Sequence, residues 1–300
     1  MNLRGGSFIP KQETTHHTTR PSGSTLMQDA TWIIDARDWL ARDREFAFSK
    51  PHKNLLETPS LDGPAYGSVS VELTSLTSYL AKEGVFQLVA GDARGWETLS
   101  TAGACFQNQV RLIAIAEQRQ LYNNRLIPTA VGEIVLGIIL DLYLGAHGEG
   151  WSSLGHLKAL SDAGRFCPKI VAFVNFGFVV ASIATARPVD RALLSECAIF
   201  REGLESFIDG DRNGGLMKLA EVHRAQSHEM NSTLGLFAWE PFNIFPVEIL
   251  VLMRAGELQR GFKDSLIWDA FQSFPARVQP RQDLLPLLKH LSKLCDLGQA

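Results

Sequence analysis

The stretch WETLSTAGACFQNQVRLI, Trp96 to Ile113, decides the fold class: Trp96, Leu99, Gly103, Phe106, Val110 and Ile113 follow one another at spacings of 3, 4, 3, 4 and 3. At 3.6 residues per turn these positions form one stripe along a helix, the part that faces a core. The same rhythm returns in Leu193, Cys197, Phe200, Leu204 and Phe207, and again in Leu284, Leu287 or Leu288, Leu291 and Leu294. Asp29 to Phe48 carries Trp32, Ile33, Ala36, Trp39, Leu40 and Phe46 in helical register with charges opposite, so the first helix is expected there.

Further helices are expected over Val69 to Ala90, Thr129 to Leu144, Trp151 to Ala163, Lys169 to Ala186, Leu216 to Met230, Pro246 to Arg254 and Phe262 to Phe274. Gly, Pro or Asp-Gly turns separate them. Residues 49–67 hold prolines at 51, 59 and 64 and are expected to form a loop, because proline and the residue before it both resist helix. Alternation of apolar and polar residues between hairpin turns, the signal of a sheet, is missing from the sequence. The expected fold is therefore all-α: antiparallel helical hairpins stacked into a layered bundle or an irregular α-solenoid. Residues 1–27, rich in Thr, Ser, Gly and His, are expected to be a disordered polar leader, and residues 28–300 a single all-helical domain.

A chain of 300 residues with 45% apolar content can bury a core without staples. The four cysteines, Cys105, Cys167, Cys197 and Cys295, are scattered, which fits a reducing compartment. The amino-terminal residues do not have the basic start and apolar run of a secretory signal, so a cytoplasmic location is expected. Lys and Arg number 29 against 32 Asp and Glu, a net charge of -3, which leaves no basic footprint for nucleic acid. Ile170 to Ala186 runs 17 residues without a charge, the lower limit for a membrane span. Asn175, Ser182 and Thr185 dilute it, so a buried central helix is expected and no membrane contact.

Asp209-Gly-Asp211-Arg-Asn213-Gly214-Gly-Leu216 matches the opening of a calcium-binding EF-hand loop. Its twelfth position, which should supply a bidentate glutamate, is Ala220, and Glu221 comes one residue late, rotated by about 100° on a helix. A polar turn in which Asn213 or Asp211 caps the next helix is the expected reading. His223 and His228, beside Glu221 and Glu229, are five apart and point to different sides of a helix, so no metal site is expected and both histidines should be solvated or partner-facing. Glu133 and Asp141 interrupt the apolar VGEIVLGIILDLYL. Eight residues is slightly over two turns, so the pair is expected to share a face; in a cleft it could do acid/base chemistry, and the plainer expectation is a face that reaches solvent or a capping partner. G-x-S-x-G does not occur, Cys105 and Cys197 fall on core stripes, and Gly91 to Trp96 has no phosphate-loop lysine and should be a turn between helices. No cofactor is expected.

Three segments resemble, in order, the immunity protein 49 family of bacterial polymorphic toxin systems. Gly95-Trp96-Glu97-Thr98-Leu99 through Ala102-Gly-Ala-Cys-Phe106 is similar to the family's tryptophan-led helix with small residues and then an aromatic. Phe207-Ile-Asp-Gly-Asp211 with Leu216 to His223-Arg224 looks like its helix-turn-helix ending in a histidine. Gly235-Leu-Phe-Ala-Trp-Glu-Pro241 leading to Phe245-Pro246-Val247-Glu248 is similar to its closing pattern. The likeness covers roughly residues 90–260, and the chain departs from it by its polar leader and a shorter interval between the first two segments. It implies an all-helical protein, encoded beside a toxin, that binds and neutralises it without catalysis. It transfers no binding residues.

Charge suggests where a partner would dock. Residues 189–230 carry eight acidic groups against five basic ones, and Glu202, Glu205 and Asp209 recur at spacings of three and four, with Asp211 beyond. These four are the candidate partner-binding residues, either as a solvated ridge or as a surface complementary to a basic toxin domain. Two other functions stay open: a helical enzyme acting on a small molecule with Glu133 and Asp141, and a helical scaffold or regulator with a non-toxin partner.

Overall fold

The fold is seen in a computed structural model, which describes residues 25–62, 65–121, 131–228, 236–237, 241–243, 245–256, 275 and 277–299, without the side chains of residues 25–33, 147, 228 and 299. The α-helices are α1 (Thr25–Arg44), α2 (Lys50–Glu57), α3 (Ala65–Val89), α4 (Gly95–Gln118), α5 (Val131–Leu144), α6 (His147–Asp162), α7 (Pro168–Ala184), α8 (Arg191–Ser195), α9 (Arg201–Ile208), α10 (Arg212–His228), α11 (Val247–Ala255) and α12 (Leu285–Gln299). No strand occurs among the described residues. Residues 1–24 of the expected leader, the expected helix at Phe262 to Phe274, the side chains of Trp32, Ile33 and His228, and Glu229 lie outside the described set. Thr25 to Met27, counted with the leader above, belong to α1.

The stripe on α4 forms as its spacing dictates. Trp96, Leu99, Phe106, Val110 and Ile113 are all buried, and α4 packs on α3, α5, α6 and α12. A Cβ at Gly103 would overlap Asp141 of α5, and one at Gly137 of α5 would overlap the ring of Phe106. The two helices therefore meet through reciprocal holes, each filled by the other's side chain. Burying a ring such as Phe106 contributes roughly 1.5–3 kcal/mol. The centre of the bundle is α5, which touches α4, α6, α7 and α11. The charge-free run forms α7, buried from Ala172 to Gly177 and Val179 to Ser182, and no helix among the described residues is long and apolar enough to cross a membrane.

Of the two expected architectures the bundle is the one formed. In a solenoid each repeat touches its neighbours alone, whereas α12 returns to pack on α4 and α2. Arg111 of α4 reaches Ser292 and Asp296 of α12, and Arg119 holds the carbonyls of Leu61 and Gly298.

Three local expectations need correction. Residues 50–57 are helix, because Pro51 lies in the first turn of α2, where its missing N–H and fixed φ cost nothing. The first helix ends at Arg44 and passes into a π-helical turn, Glu45–Ser49, that leaves Phe46 exposed and off the core stripe. The stripe from Leu193 to Phe207 is not one helix. It is α8, a 3₁₀ turn (Ala198–Phe200) and α9, broken where Ala198 takes φ +48°. Cys197, Phe200, Leu204 and Phe207 are nevertheless buried, since the break keeps their side chains inward.

Candidate functional site

The ionisable residues of interest fall into three places: two carboxyls on α5, a His–Glu pair between α10 and α11, and the acidic outer side of the α9–α10 hairpin. Glu133 and Asp141 do not reach solvent as expected, being 5% and 2% exposed. Glu133 Oε1 accepts from the Ser78 hydroxyl of α3 at 3.2 Å. Asp141 accepts from Ser100 at 3.2 Å and from the Gln107 amide at 2.7 Å, both on α4. Burial pushes both up to about 7, with Ser78 and Lys82 drawing Glu133 back down and Ser100 doing so for Asp141. The expected shared face is not formed: eight residues along one helix separate the two by about 12 Å of rise and 80° of rotation, and Glu133 meets α3 while Asp141 meets α4. Two carboxyls that work on one bond stand closer, at roughly 5–9.5 Å.

The second place was missed by reading the sequence. His223 is buried, not solvated or partner-facing: its Nδ1 lies 2.6 Å from Glu248 Oε1 of α11, whose side chain is 1% exposed. The imidazole lies tilted against the Phe237 ring, centroids 4.3 Å apart and planes 32° from parallel. Phe237 in turn meets Phe173 and Phe200 edge-on. The other atoms of the pair, His223 Nε2 and Glu248 Oε2, are buried without a hydrogen-bond partner. The Arg212 guanidinium donates to the Gly256 carbonyl at 2.9 Å and ties the opposite ends of the same antiparallel helices. The pair joins residues 25 apart, and the available signal was one glutamate in the otherwise apolar run Val247 to Met253, while His223 sits in a polar segment that gave none.

On the hairpin, Glu202 and Asp209 are exposed and Glu205 is half-buried. Each is engaged by a base: Glu202 by Lys218 at 2.6 Å, Glu205 by Arg201 at 2.8 Å and Asp209 by Arg191 at 3.1 Å. Asp211 caps α10 by accepting from the Gly214 N–H at 3.0 Å. The glycines of the EF-hand-like run answer to packing: a Cβ at Gly214 would overlap the capping carboxylate, and one at Gly215 would lie 2.6 Å from the Gly203 carbonyl of α9. No group of three or more His, Cys, Asp or Glu among the described residues is placed to hold a metal. Burial pushes the Cys105 and Cys197 thiols up to about 12, away from nucleophilic chemistry. The run Gly91 to Arg94 is the turn between α3 and α4.

No family model, curated protein or solved structure matches the chain.

Proposed function

We propose that this chain is an immunity protein that binds a cognate toxin domain, a basic one, and neutralises it in the cytoplasm by direct protein–protein contact, without catalysis or a cofactor. The observation that carries the reading is that Glu133, Asp141 and His223 are all closed inside the bundle, each engaged by a partner on another helix. Interior polar groups of this kind fix the packing of helices, and the charges that another molecule can reach lie outside; those of the α9–α10 hairpin are one such set, beside others such as Arg37, Asp38, Lys53, Glu57 and Arg94. The residues that carry the family resemblance agree with this division. Trp96, Phe106, Phe207, Leu216, His223, Phe237, Phe245 and Glu248 are buried and specify the framework, whereas Glu97, Asp209, Asp211 and Arg224 of the same segments are exposed.

Glu202, Glu205, Asp209 and Asp211 are the residues that would meet it. Surface ion pairs are worth about 0–1 kcal/mol, so basic groups on a partner can displace Lys218, Arg201 and Arg191 at little cost. Electrostatic complementarity of this kind acts mainly on association rate and is screened by salt.

The test is protection. A host expressing the toxin domain encoded beside this chain should survive when the chain is co-expressed, and the two proteins should co-elute as a stoichiometric complex. Unchanged killing with both proteins soluble would sink the proposal. Reversing Glu202, Glu205 and Asp209 to lysine should slow association at low salt; if it does not, the toxin docks elsewhere on the protein.

A further inference from the structure

Asp141 lies in a contact with no room for rearrangement. Its Cβ and Cγ fill the hole above Gly103 of α4, Ser100 and Gln107 close on its oxygens, and the side chain is sealed from water. The charged group acting on it is Glu149 of α6, itself negative, and its other ionisable neighbour is the buried Cys105 thiol of α4. Among the described residues no cation is hydrogen-bonded to it. Glu133, two turns away, meets Ser78 and the attraction of Lys82 from α3. Among the described residues, other charged groups on the elements packed on α5 are engaged elsewhere: Lys158 of α6 pairs with Asp162, Arg111 of α4 with Asp296, the Glu248 carboxylate of α11 is engaged by His223, and Arg254 of α11 lies over the Tyr143 ring. Helix α7 has no ionisable residue between Lys169 and Arg187, and His156 of α6 is hydrogen-bonded to neither carboxyl.

A carboxylate in such a place must give up its hydration for two neutral hydrogen bonds, which does not repay the loss. The neutral acid avoids that cost and still accepts from Ser100 and Gln107. We propose that α5 is a proton-responsive element: the bundle is tightest with Asp141 and Glu133 protonated and loosens as they ionise. Because α4, α6, α7 and α11 all rest on α5, ionisation there acts on the whole core. Both carboxyls sit in the folded chain at about 7, against ordinary values of 3.8 for Asp141 and 4.5 for Glu133. For a group raised on folding, the stability it gives is whole below the unfolded value and is lost as pH climbs through the folded one.

The test compares the parent with Asp141→Asn by urea unfolding at pH 5 and pH 8, together with carbon-13 NMR of the aspartate carboxyls in the native parent. Asparagine keeps the volume and the acceptor for Ser100. Between these pH values titration of Asp141 raises the parent's unfolding constant about a hundredfold relative to the variant. An equal pH dependence in parent and variant overturns the proposal. Should the variant fail to fold, the NMR titration decides: a native Asp141 midpoint near 7 supports it, and one below about 5 refutes it.

Discussion

Truncating one half of the His223–Glu248 pair should damage the protein more than removing both halves. Nδ1 and Oε1 are 2.6 Å apart, Glu248 is 1% exposed, and neither Nε2 nor Oε2 has another partner to fall back on. Glu248→Ala leaves a buried imidazole facing an empty, apolar space, and His223→Ala leaves a buried carboxylate with nothing to offset its lost hydration. Breaking a buried pair from one side costs about 3–5 kcal/mol. Replacing both by leucine removes the polar groups together and fills part of the volume, and such replacements are often close to neutral. The double variant His223→Leu, Glu248→Leu should therefore be more stable than either alanine variant, despite carrying two changes. Urea unfolding at pH 7 measures this, with m-values checked for constancy so that midpoints translate into stability. Single losses under about 1 kcal/mol that simply add would show the pair behaving like an exposed one, and the argument from burial would fail.

Other consequences follow from backbone and packing. Ala186 closes α7 with φ +53°, its N–H bonded to Ile183 O and that of Arg187 to Ser182 O, a position where glycine carries no Cβ penalty. Ala186→Gly should raise stability by roughly 1 kcal/mol in thermal unfolding, and a loss would refute the strain argument. Gly137→Ala drives a methyl group into the Phe106 ring and should cost about 1–3 kcal/mol, visible in the same assay. Micromolar calcium should leave the melting temperature unchanged, because Ala220 stands where the loop needs its bidentate glutamate; a rise of several degrees would contradict this.

What could be read from the sequence is what period alone encodes. The α4 stripe announces a helix and its buried face, and α7 announces a buried helix because seventeen residues without a charge have no face to give to water. Period does not encode how a proline is used. Pro51 reads as a breaker in a loop-like context and serves as the first turn of α2, the one place where a helix accepts it. Nor does it mark Ala198, an ordinary helix former that takes a left-handed conformation because packing of Cys197 and Phe200 on the core outweighs its local preference. The polar interior was legible only in part. Between Glu97 and Arg111 helix α4 carries no charge, yet it holds Thr98, Ser100, Thr101, Gln107, Asn108 and Gln109, all buried. Uncharged polar residues on every side of a helix imply neighbours on every side, but not which ones. The partners of Ser100 and Gln107 lie more than thirty residues on, at Asp141, and only the fold brings them together.

On the proposed function, the division between framework and surface bears on how such a protein could change its partner without changing its fold. Gly103, Asp141, Phe106 and Gly137 are interlocked, so a change at any one of them requires compensation at another. The charges of the α9–α10 hairpin are under no such constraint. Glu202, Glu205 and Asp209 each contact a base that is itself at least partly exposed, while the close approach of Gly203 and Gly215 fixes the two helices from beneath. Substitution on the outer side alters the field presented to a partner at a cost of about 1 kcal/mol or less per pair, leaving the backbone that presents it in place.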